Sequence, residues 1–170
     1  IRSNLVDAYK KSELEVDSGI GIFALSAIIV DRAEPSEALK ANIAWSLGLG
    51  DIKYLISSDQ VNAFRPGKSV QQAIDIKARK GAYLLNGQLA LKPQQSKDWL
   101  IIANVNQTAS SIASLKQKIT DPADLSTQIE ESIQQGSNRL KKLVYAADGL
   151  QATSDKKRDA RHYSNTLFNI

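Results

Sequence analysis

Short runs of hydrophobic and β-branched residues recur through the first 105 residues, and turn-forming residues separate them. In one run, Leu39, Ala41, Ile43 and Trp45 occupy every other position, so they fall on one face of an extended chain. This alternation is typical of half-buried β-strands. The predicted strand segments are 18–31, 38–49, 52–58, 71–86 and the two arms of 86–105.

The segment NGQLALKPQQSKDWLIIANV, residues 86–105, predicts a β-hairpin. Leu89 and Leu91 alternate with polar or small residues, PQQS predicts a turn, and the apolar run WLII follows. A further turn is expected at Pro66-Gly67, because proline presets φ and glycine accepts positive φ. Short strands separated by turns, with no helical pattern between them, indicate antiparallel sheets, and we expect a β-sandwich.

Beyond residue 105 the hydrophobic period becomes that of an α-helix. Ile112, Leu115 and Ile119 have helical spacing, and a second helix start is expected with Asp121 as N-cap and Pro122 in the first helical position. Gly149 is expected to end this helix. One apolar stripe follows its length and is formed by Leu125, Ile129, Ile133, Leu140, Leu143, Val144 and Ala147.

A last helix is expected to begin at Ser154-Asp155 and to bury a face formed by Ala160, Tyr163, Leu167 and Ile170. It reaches Ile170 without a capping residue, and the chain holds no methionine, even at its first position. We therefore expect a piece of a longer polypeptide. The expected domains are a β-sandwich portion (1–105), linker helices (106–150) and the start of a further, truncated helical domain (151–170).

Composition places the chain among ordinary globular proteins, with 42% hydrophobic and 24% charged residues and a net charge of +4. The densest basic run, 156–158, is flanked by Asp155 and Asp159, which is typical of a solvated helix face; we expect no nucleic-acid partner. No apolar run reaches the roughly 18 residues of a membrane span. The first residues do not form a signal peptide, and the compartment is left open.

The sequence offers little for catalysis. The chain has no cysteine, which excludes disulfides and thiolate chemistry, and its one histidine, His162, makes a transition-metal site improbable. A triad would require His162 with Ser164 and Asp159 on one helix, where convergent geometry is rare. Glu13 and Glu15 would share a strand face and form a carboxylate pair, although a solvated edge is the more common meaning. We assign no catalytic, cofactor-binding or metal-ligating residue and no cofactor.

Aromatic residues are the remaining candidates for ligand binding. Five of them could stack on sugars, although aromatics at alternating strand positions more often belong to a core: Trp45, Tyr54, Phe64, Tyr83 and Trp99. Gly19 and Gly21 lack the third glycine of a dinucleotide-binding loop, and we expect close backbone packing or a bulge there.

Three patterns occur in order: DSGIGIFALSAIIVDRAEPSEALKANIAWSLGL, then GAYLLNGQLALKPQQSKDWLIIANV, then the helix ending DARHYSNTLFNI. This order resembles the junction of the cellobiose/chitobiose phosphorylase-like carbohydrate-active enzymes. The resemblance implies the end of a large N-terminal β-sandwich, linker helices and the first helix of an α/α barrel. The family's catalytic acid and phosphate-binding residues would lie in the barrel, beyond this chain, so none is assigned here.

Together these patterns predict an α+β fold, an antiparallel β-sandwich portion followed by a C-terminal pair of amphipathic helices. The first hypothesis is a non-catalytic segment of a larger carbohydrate-active enzyme, of the glycoside phosphorylase or hydrolase type, supporting a helical catalytic domain. The second is a free-standing binding or assembly module that docks a partner through its C-terminal helices. A third is an independent enzyme using Glu13 and Glu15. The expected partner is the rest of the same polypeptide or another chain, with carbohydrate as a further ligand.

The two leading hypotheses share one candidate surface. Apolar residues on the C-terminal helices would contact the partner, and these candidates are Leu140, Leu143, Val144, Leu167 and Ile170.

Overall fold

The computed structural model describes residues 5–27, 39–120, 124–149 and 153–169. The chain divides into two compact units, residues Ile1–Thr120 and Asp121–Ile170. The described secondary structure is mixed α+β, as the sequence predicts: strands dominate the first unit, and the second unit is helical.

In its described residues, the first unit contains seven strands, a short 3-10 turn and two helices. The 3-10 turn spans Leu5–Tyr9, and the helices are α1 (Val61–Phe64) and α2 (Ala109–Thr120). The strands are β1 (Lys10–Glu15), β2 (Ile20–Leu25), β3 (Ala41–Leu47), β4 (Lys53–Ser57), β5 (Asp75–Lys77), β6 (Gly81–Asn86) and β7 (Leu100–Gln107).

The strands form two antiparallel sheets. The larger sheet has the order β5-β1-β2-β3-β7, and the smaller sheet pairs β4 with β6. The register sets which residues share a face: Ile22 pairs with Ile43, while Gly21 pairs with Ala44 on the opposite face. The buried hydrophobic residues of the unit are Leu14, Ile20, Ile43, Ala44, Trp45, Leu55, Ile56 and Val70.

The two sheets pack closely because glycines admit aromatic rings from the smaller sheet. A Cβ placed on Gly19 would lie 2.3 Å from Cζ of Tyr54, and one placed on Gly21 would lie 2.8 Å from Cδ2 of Tyr83. Gly19 also has a φ of +70°, which other residues rarely adopt. The Tyr83 hydroxyl donates a 2.7 Å hydrogen bond to the Gly19 carbonyl. This confirms the expectation that the two glycines serve close backbone packing.

Helix α2 lies over the opposite face of the larger sheet. Ile112 lines a groove together with Ile22 and Ala24, and Lys116 binds Glu15 of β1. Ile112, Leu115 and Ile119 are all half-buried, as their helical spacing predicts. The smaller sheet therefore packs on one face of the larger sheet, and α2 borders the other face across a groove.

The predicted hairpin over 86–105 is wrong in its first arm. Leu89 and Leu91 lie in an irregular, exposed segment, and β6 ends at Asn86 and pairs with β4, not with β7. The turn at Pro93-Gln94 and the second arm are present. Alternation alone failed here because a strand also needs a partner strand to satisfy its backbone groups.

Other strand boundaries differ in detail. The segment 18–31 forms a strand only over Ile20–Leu25, and its residues from 28 onward lie outside the described part of the chain. Leu39 precedes β3 and is exposed, so only the later positions of that run are buried. The segment 71–86 divides into β5 and β6. The turn at Pro66-Gly67 is confirmed, with Gly67 at φ +88° and its amide donating to the Phe64 carbonyl.

A β-bulge interrupts the pairing of β7 with β3 near the end of β7. Ala41 pairs with Gln107 and Ile43 pairs with Asn104, so β7 contains one extra residue between these pairs. Asn106 has a φ of +61° and donates its amide to Oδ1 of Asn42. Asparagine tolerates this conformation better than most residues, and a bulge at this point bends the strand before α2 begins.

The second unit contains α3 (Leu125–Asp148) and α4 (Lys156–Phe168), which pack against each other. The predicted end of α3 is confirmed, because the Gly149 amide donates to the Tyr145 carbonyl at 3.0 Å and its φ is +73°. The predicted start of α4 is also confirmed. Oδ1 of Asp155 accepts hydrogen bonds from the amides of Lys157 and Arg158. The proposed cap at Asp121 and Pro122 lies outside the described residues.

The buried face of α4 is not the predicted one. Ala160 and Leu167 are exposed, Ile170 lies outside the described residues, and only Tyr163 is half-buried as expected. The more buried side instead carries Asp159, His162, Tyr163 and Thr166. Polar contacts explain this orientation, since Asp159 accepts hydrogen bonds from Thr153 and His162 contacts the Gly149 carbonyl.

Candidate functional site

The two carboxylates on β1 form structural ion pairs. Glu13 and Glu15 share one face of the strand, while Ser12 and Leu14 are buried on the other. Glu13 forms an ion pair with Lys11 at 2.7 Å. Glu15 forms one with Lys116 of α2 at 2.6 Å. Each carboxylate therefore has its own cation, and the Glu15 pair connects the sheet to α2.

Glu15 is held in its ionised form. Its Oε2 accepts hydrogen bonds from the amide and hydroxyl of Ser18, and Lys116 also contacts Asp17 at 3.0 Å. Burial raises the pKa of Glu15, but the hydrogen bonds from Lys116 and Ser18 together outweigh burial and bring the pKa below its ordinary value of 4.5. A general acid needs a raised pKa, so Glu15 is unsuited to donate a proton near neutral pH.

Replacing Glu15 with glutamine is expected to lower the free energy of unfolding of the first unit at neutral pH. The variant should also lose less of that free energy than the wild type as the pH falls. A carboxyl whose pKa is depressed by folding contributes stability above its unfolded pKa and loses it as pH falls through the folded value. The measurement is urea unfolding from pH 7 down to pH 3 for both proteins. Wild-type and variant curves should converge toward acid.

The control for this prediction is Glu13→Gln on the same strand face. That variant keeps Glu15 and its partners, so it should retain the wild-type loss of stability in acid. If both substitutions reduce the loss of stability in acid equally, the Glu15–Lys116 ion pair is not responsible for that loss.

Two open grooves border this sheet. One, with a volume of about 380 Å³, lies between the sheet and α2, and its wall is mainly apolar apart from Glu15, Lys40, Gln107 and Lys116. The other, about 640 Å³, includes Lys10 and Lys11. Asp7 already pairs with Lys10 and Glu13 with Lys11. The geometry therefore does not present these two cations as a ready anion site.

His162 participates in the connection between the two C-terminal helices. Its Nε2 lies 3.1 Å from the Gly149 carbonyl oxygen, and its ring meets Tyr163 edge-on with centroids 6.0 Å apart. Asp159 accepts hydrogen bonds from the amide and hydroxyl of Thr153. These contacts connect α4 to the segment before it. None of them joins a nucleophilic side chain to a general base.

The aromatic candidates separate into three groups. Trp45 is a core residue, with its Nε1 donating to Oδ1 of Asn104 at 3.1 Å. Tyr54 and Tyr83 are half-buried between the sheets. Burial raises the pKa of Tyr83 to about 12, although the hydrogen bond with Ser46 acts to lower this pKa. Phe64 and Trp99 are exposed, Phe64 at the end of α1 and Trp99 just before β7. The five residues therefore do not form one sugar platform.

The partner-interface candidates lie mainly at the surface of the second unit. Leu140, Leu143 and Leu167 are exposed, whereas Val144 is fully buried and so cannot present its side chain to a partner. Ile170 lies outside the described residues. The predicted interface omitted three other exposed hydrophobic residues that the structure describes in this unit, Ile133, Tyr145 and Phe168. Ile133 belongs to the predicted stripe of α3, whereas Tyr145 and Phe168 fall outside the predicted stripes.

Among the described residues, no group of three or more His, Asp and Glu side chains is placed to hold a metal ion. In the same part of the chain, no helix is both long and apolar enough to cross a membrane. A scan against models of protein families finds no match, and a search of curated proteins finds no similar chain.

Proposed function

We propose that this chain is a non-catalytic support and docking module, with the two-sheet unit as scaffold and the C-terminal helices as the surface that binds a helical partner. The observation that carries this proposal is the exposed apolar face of α3. Ile133, Leu140 and Leu143 are all exposed, and their spacings of seven and three residues place them on one side of the helix. We refer to these three residues as the α3 face.

The length of α3 strengthens this interpretation. A helix of 24 residues measures about 36 Å, and most of the stability of such a helix comes from packing its amphipathic face. Among the side chains of α3 whose burial the structure describes, only Leu125 and Val144, near its two ends, are fully buried. The middle of the helix therefore offers an apolar strip to another helix, since such strips pack by ridges into grooves.

The partner we propose is the helical remainder of the same polypeptide, in a carbohydrate-active enzyme of the glycoside phosphorylase or hydrolase type. Two observations support this proposal. The chain has a two-sheet unit followed by helices, and the carboxylates of Glu13 and Glu15 are engaged in structural ion pairs. The alternative is a free-standing assembly module whose partner is a different chain. Both place the contact on the α3 face.

A charge substitution tests the docking surface. The dye ANS is expected to bind the isolated chain at its exposed apolar surfaces, the α3 face among them, and Leu143→Lys should lower the fluorescence, because a lysine ammonium is strongly hydrated. The matched control is Tyr145→Lys, because Tyr145 is also exposed (68%, against 50% for Leu143) but lies on another side of the same helix. An equal response to both substitutions, or none to either, would contradict docking through the α3 face.

The enzyme assignment has a separate test. The intact mass and peptide map of the native polypeptide establish whether a helical segment follows Ile170. If it does, the full polypeptide should cleave glycosidic substrates with phosphate or water, and Leu143→Lys should reduce its stability. A polypeptide that ends at Ile170, or a full-length protein with no glycosidic activity, would leave the assembly module as the remaining hypothesis.

A further inference from the structure

The two edges of the larger sheet are built differently. Strand β5 is three residues long and carries Asp75 and Lys77, which pair with each other at 3.4 Å. Strand β7 is eight residues long, LIIANVNQ, with no charged residue and no proline. Short, charged edges are the usual protection against pairing with another chain, whereas a long uncharged edge is open to it.

The exposed side chains of β7 include large apolar ones beside Asn104 and Asn106. Ile101 is 55% exposed and Val105 is 71% exposed, and Trp99 and Leu100 precede them at the surface. The inner side of β7 pairs with β3, and β7 has no second partner strand within the described ranges. The backbone groups and the apolar side chains of this edge are therefore available to the same partner.

We propose that β7 pairs antiparallel with β7 of a second copy of this chain, joining two five-stranded sheets into one. A second copy fits because self-pairing of an uncharged strand brings no like charges opposite each other, and like charges in that position are destabilising. A charged partner strand would gain no ion pair here. The contact is isologous, so it closes at a dimer and does not continue into a filament.

The two-fold axis of an antiparallel pair passes through the midpoint of two opposed residues, so one residue faces its own copy. With Ala103 at that point, Ile101 of each chain faces Val105 of the other. Each Ile101–Val105 pair then becomes shielded from water. Ala103 is the smallest residue between them, which lets the strands approach without a clash. The bulge at Asn106 limits regular pairing to residues before it.

The size of this contact predicts a reversible dimer. One strand pair buries less than the roughly 1,200 Å² of a standard stable interface. Association should therefore depend on protein concentration over the micromolar to submillimolar range. The inference does not rest on the proposed docking of the C-terminal helices, because β7 belongs to the first unit.

The test is sedimentation velocity of the full chain over that concentration range. The wild-type protein is expected to approach twice its mass of 18.6 kDa at high concentration. Ile101→Lys should raise the dimer dissociation constant about tenfold or more, because each dimer would contain two lysines in the interface. Ile74→Lys is the matched control: Ile74 is 57% exposed beside the opposite edge, and its substitution should leave the dimer unchanged.

Amide hydrogen exchange identifies the contact directly. Outward-facing amides of β7 should exchange more slowly as the wild-type concentration rises, and Ile101→Lys should abolish that dependence. A wild-type monomer at the highest concentration would overturn the proposal. So would a dimer dissociated equally by both lysine substitutions, or one that resists Ile101→Lys and yields to Leu143→Lys. That last outcome would place the self-contact on the α3 face instead.

Discussion

Replacing Trp45 with alanine is expected to lower the free energy of unfolding of the first unit by about 3–5 kcal/mol. Trp45 is only 3% exposed and lies on β3, between β2 and β7 in the larger sheet. The substitution removes a large buried ring, leaves a cavity in a close-packed core, and deprives Oδ1 of Asn104 of its donor. Chemical denaturation, followed by far-UV circular dichroism at low protein concentration, measures the loss.

The second tryptophan supplies the control. Trp99 is 46% exposed and lies just before β7, so Trp99→Ala should cost less than about 1.5 kcal/mol. Trp45→Phe separates the two contributions, since it retains much of the ring and removes the indole donor. A loss from Trp99→Ala equal to that from Trp45→Ala would show that Trp45 is not the larger contributor to the core.

Replacing Gly19 with alanine is expected to destabilise the first unit by about 2–4 kcal/mol. Two effects act together: a φ of +70° is unfavourable for alanine, and the new Cβ would lie 2.3 Å from the Tyr54 ring. Tyr54 cannot yield freely, because its ring is tilted against Tyr83 with centroids 6.0 Å apart. The same unfolding experiment measures the change.

A double-mutant cycle separates the two effects. In a Tyr54→Ala background the steric effect disappears, so Gly19→Ala should then cost only the about 1–2 kcal/mol of the backbone conformation. Gly50→Ala is the control, because a Cβ there would meet nothing within 4 Å and its φ is not positive; it should stay within about 0.5 kcal/mol. An unchanged cost in the Tyr54→Ala background would contradict the close packing of the two sheets.

Local patterns with a direct physical meaning were predictable. The run 52–58 became β4, and the helix starts and ends at Asp155 and Gly149 follow from capping chemistry that needs only neighbouring residues. Gly19 and Gly21 were correctly assigned to close packing, although the partner rings, Tyr54 and Tyr83, could not be named. Those rings approach from the other sheet, and no local pattern encodes such a distance.

The candidate sites were less predictable than the fold. That Glu13 and Glu15 share a face follows from strand alternation, but the partner of Glu15 is Lys116, about a hundred residues away in sequence. The amphipathic stripe of α3 predicted a partner surface that includes Leu140, Leu143 and Val144, and the structure exposes Leu140 and Leu143 but buries Val144. A periodic pattern shows which residues share a face, whereas burial depends on which neighbouring element covers that face.

The α+β class, the change from strands to helices near residue 105 and the helix ends set by caps were therefore predictable, because they depend on periodicity and short-range hydrogen bonds. Local patterns did not predict the strand order, the break of the hairpin before Leu89, the side of α4 that is buried or the exposure of β7. These features arise from contacts between residues distant in sequence. Such contacts follow from global packing, which selects among arrangements that satisfy the same local pattern.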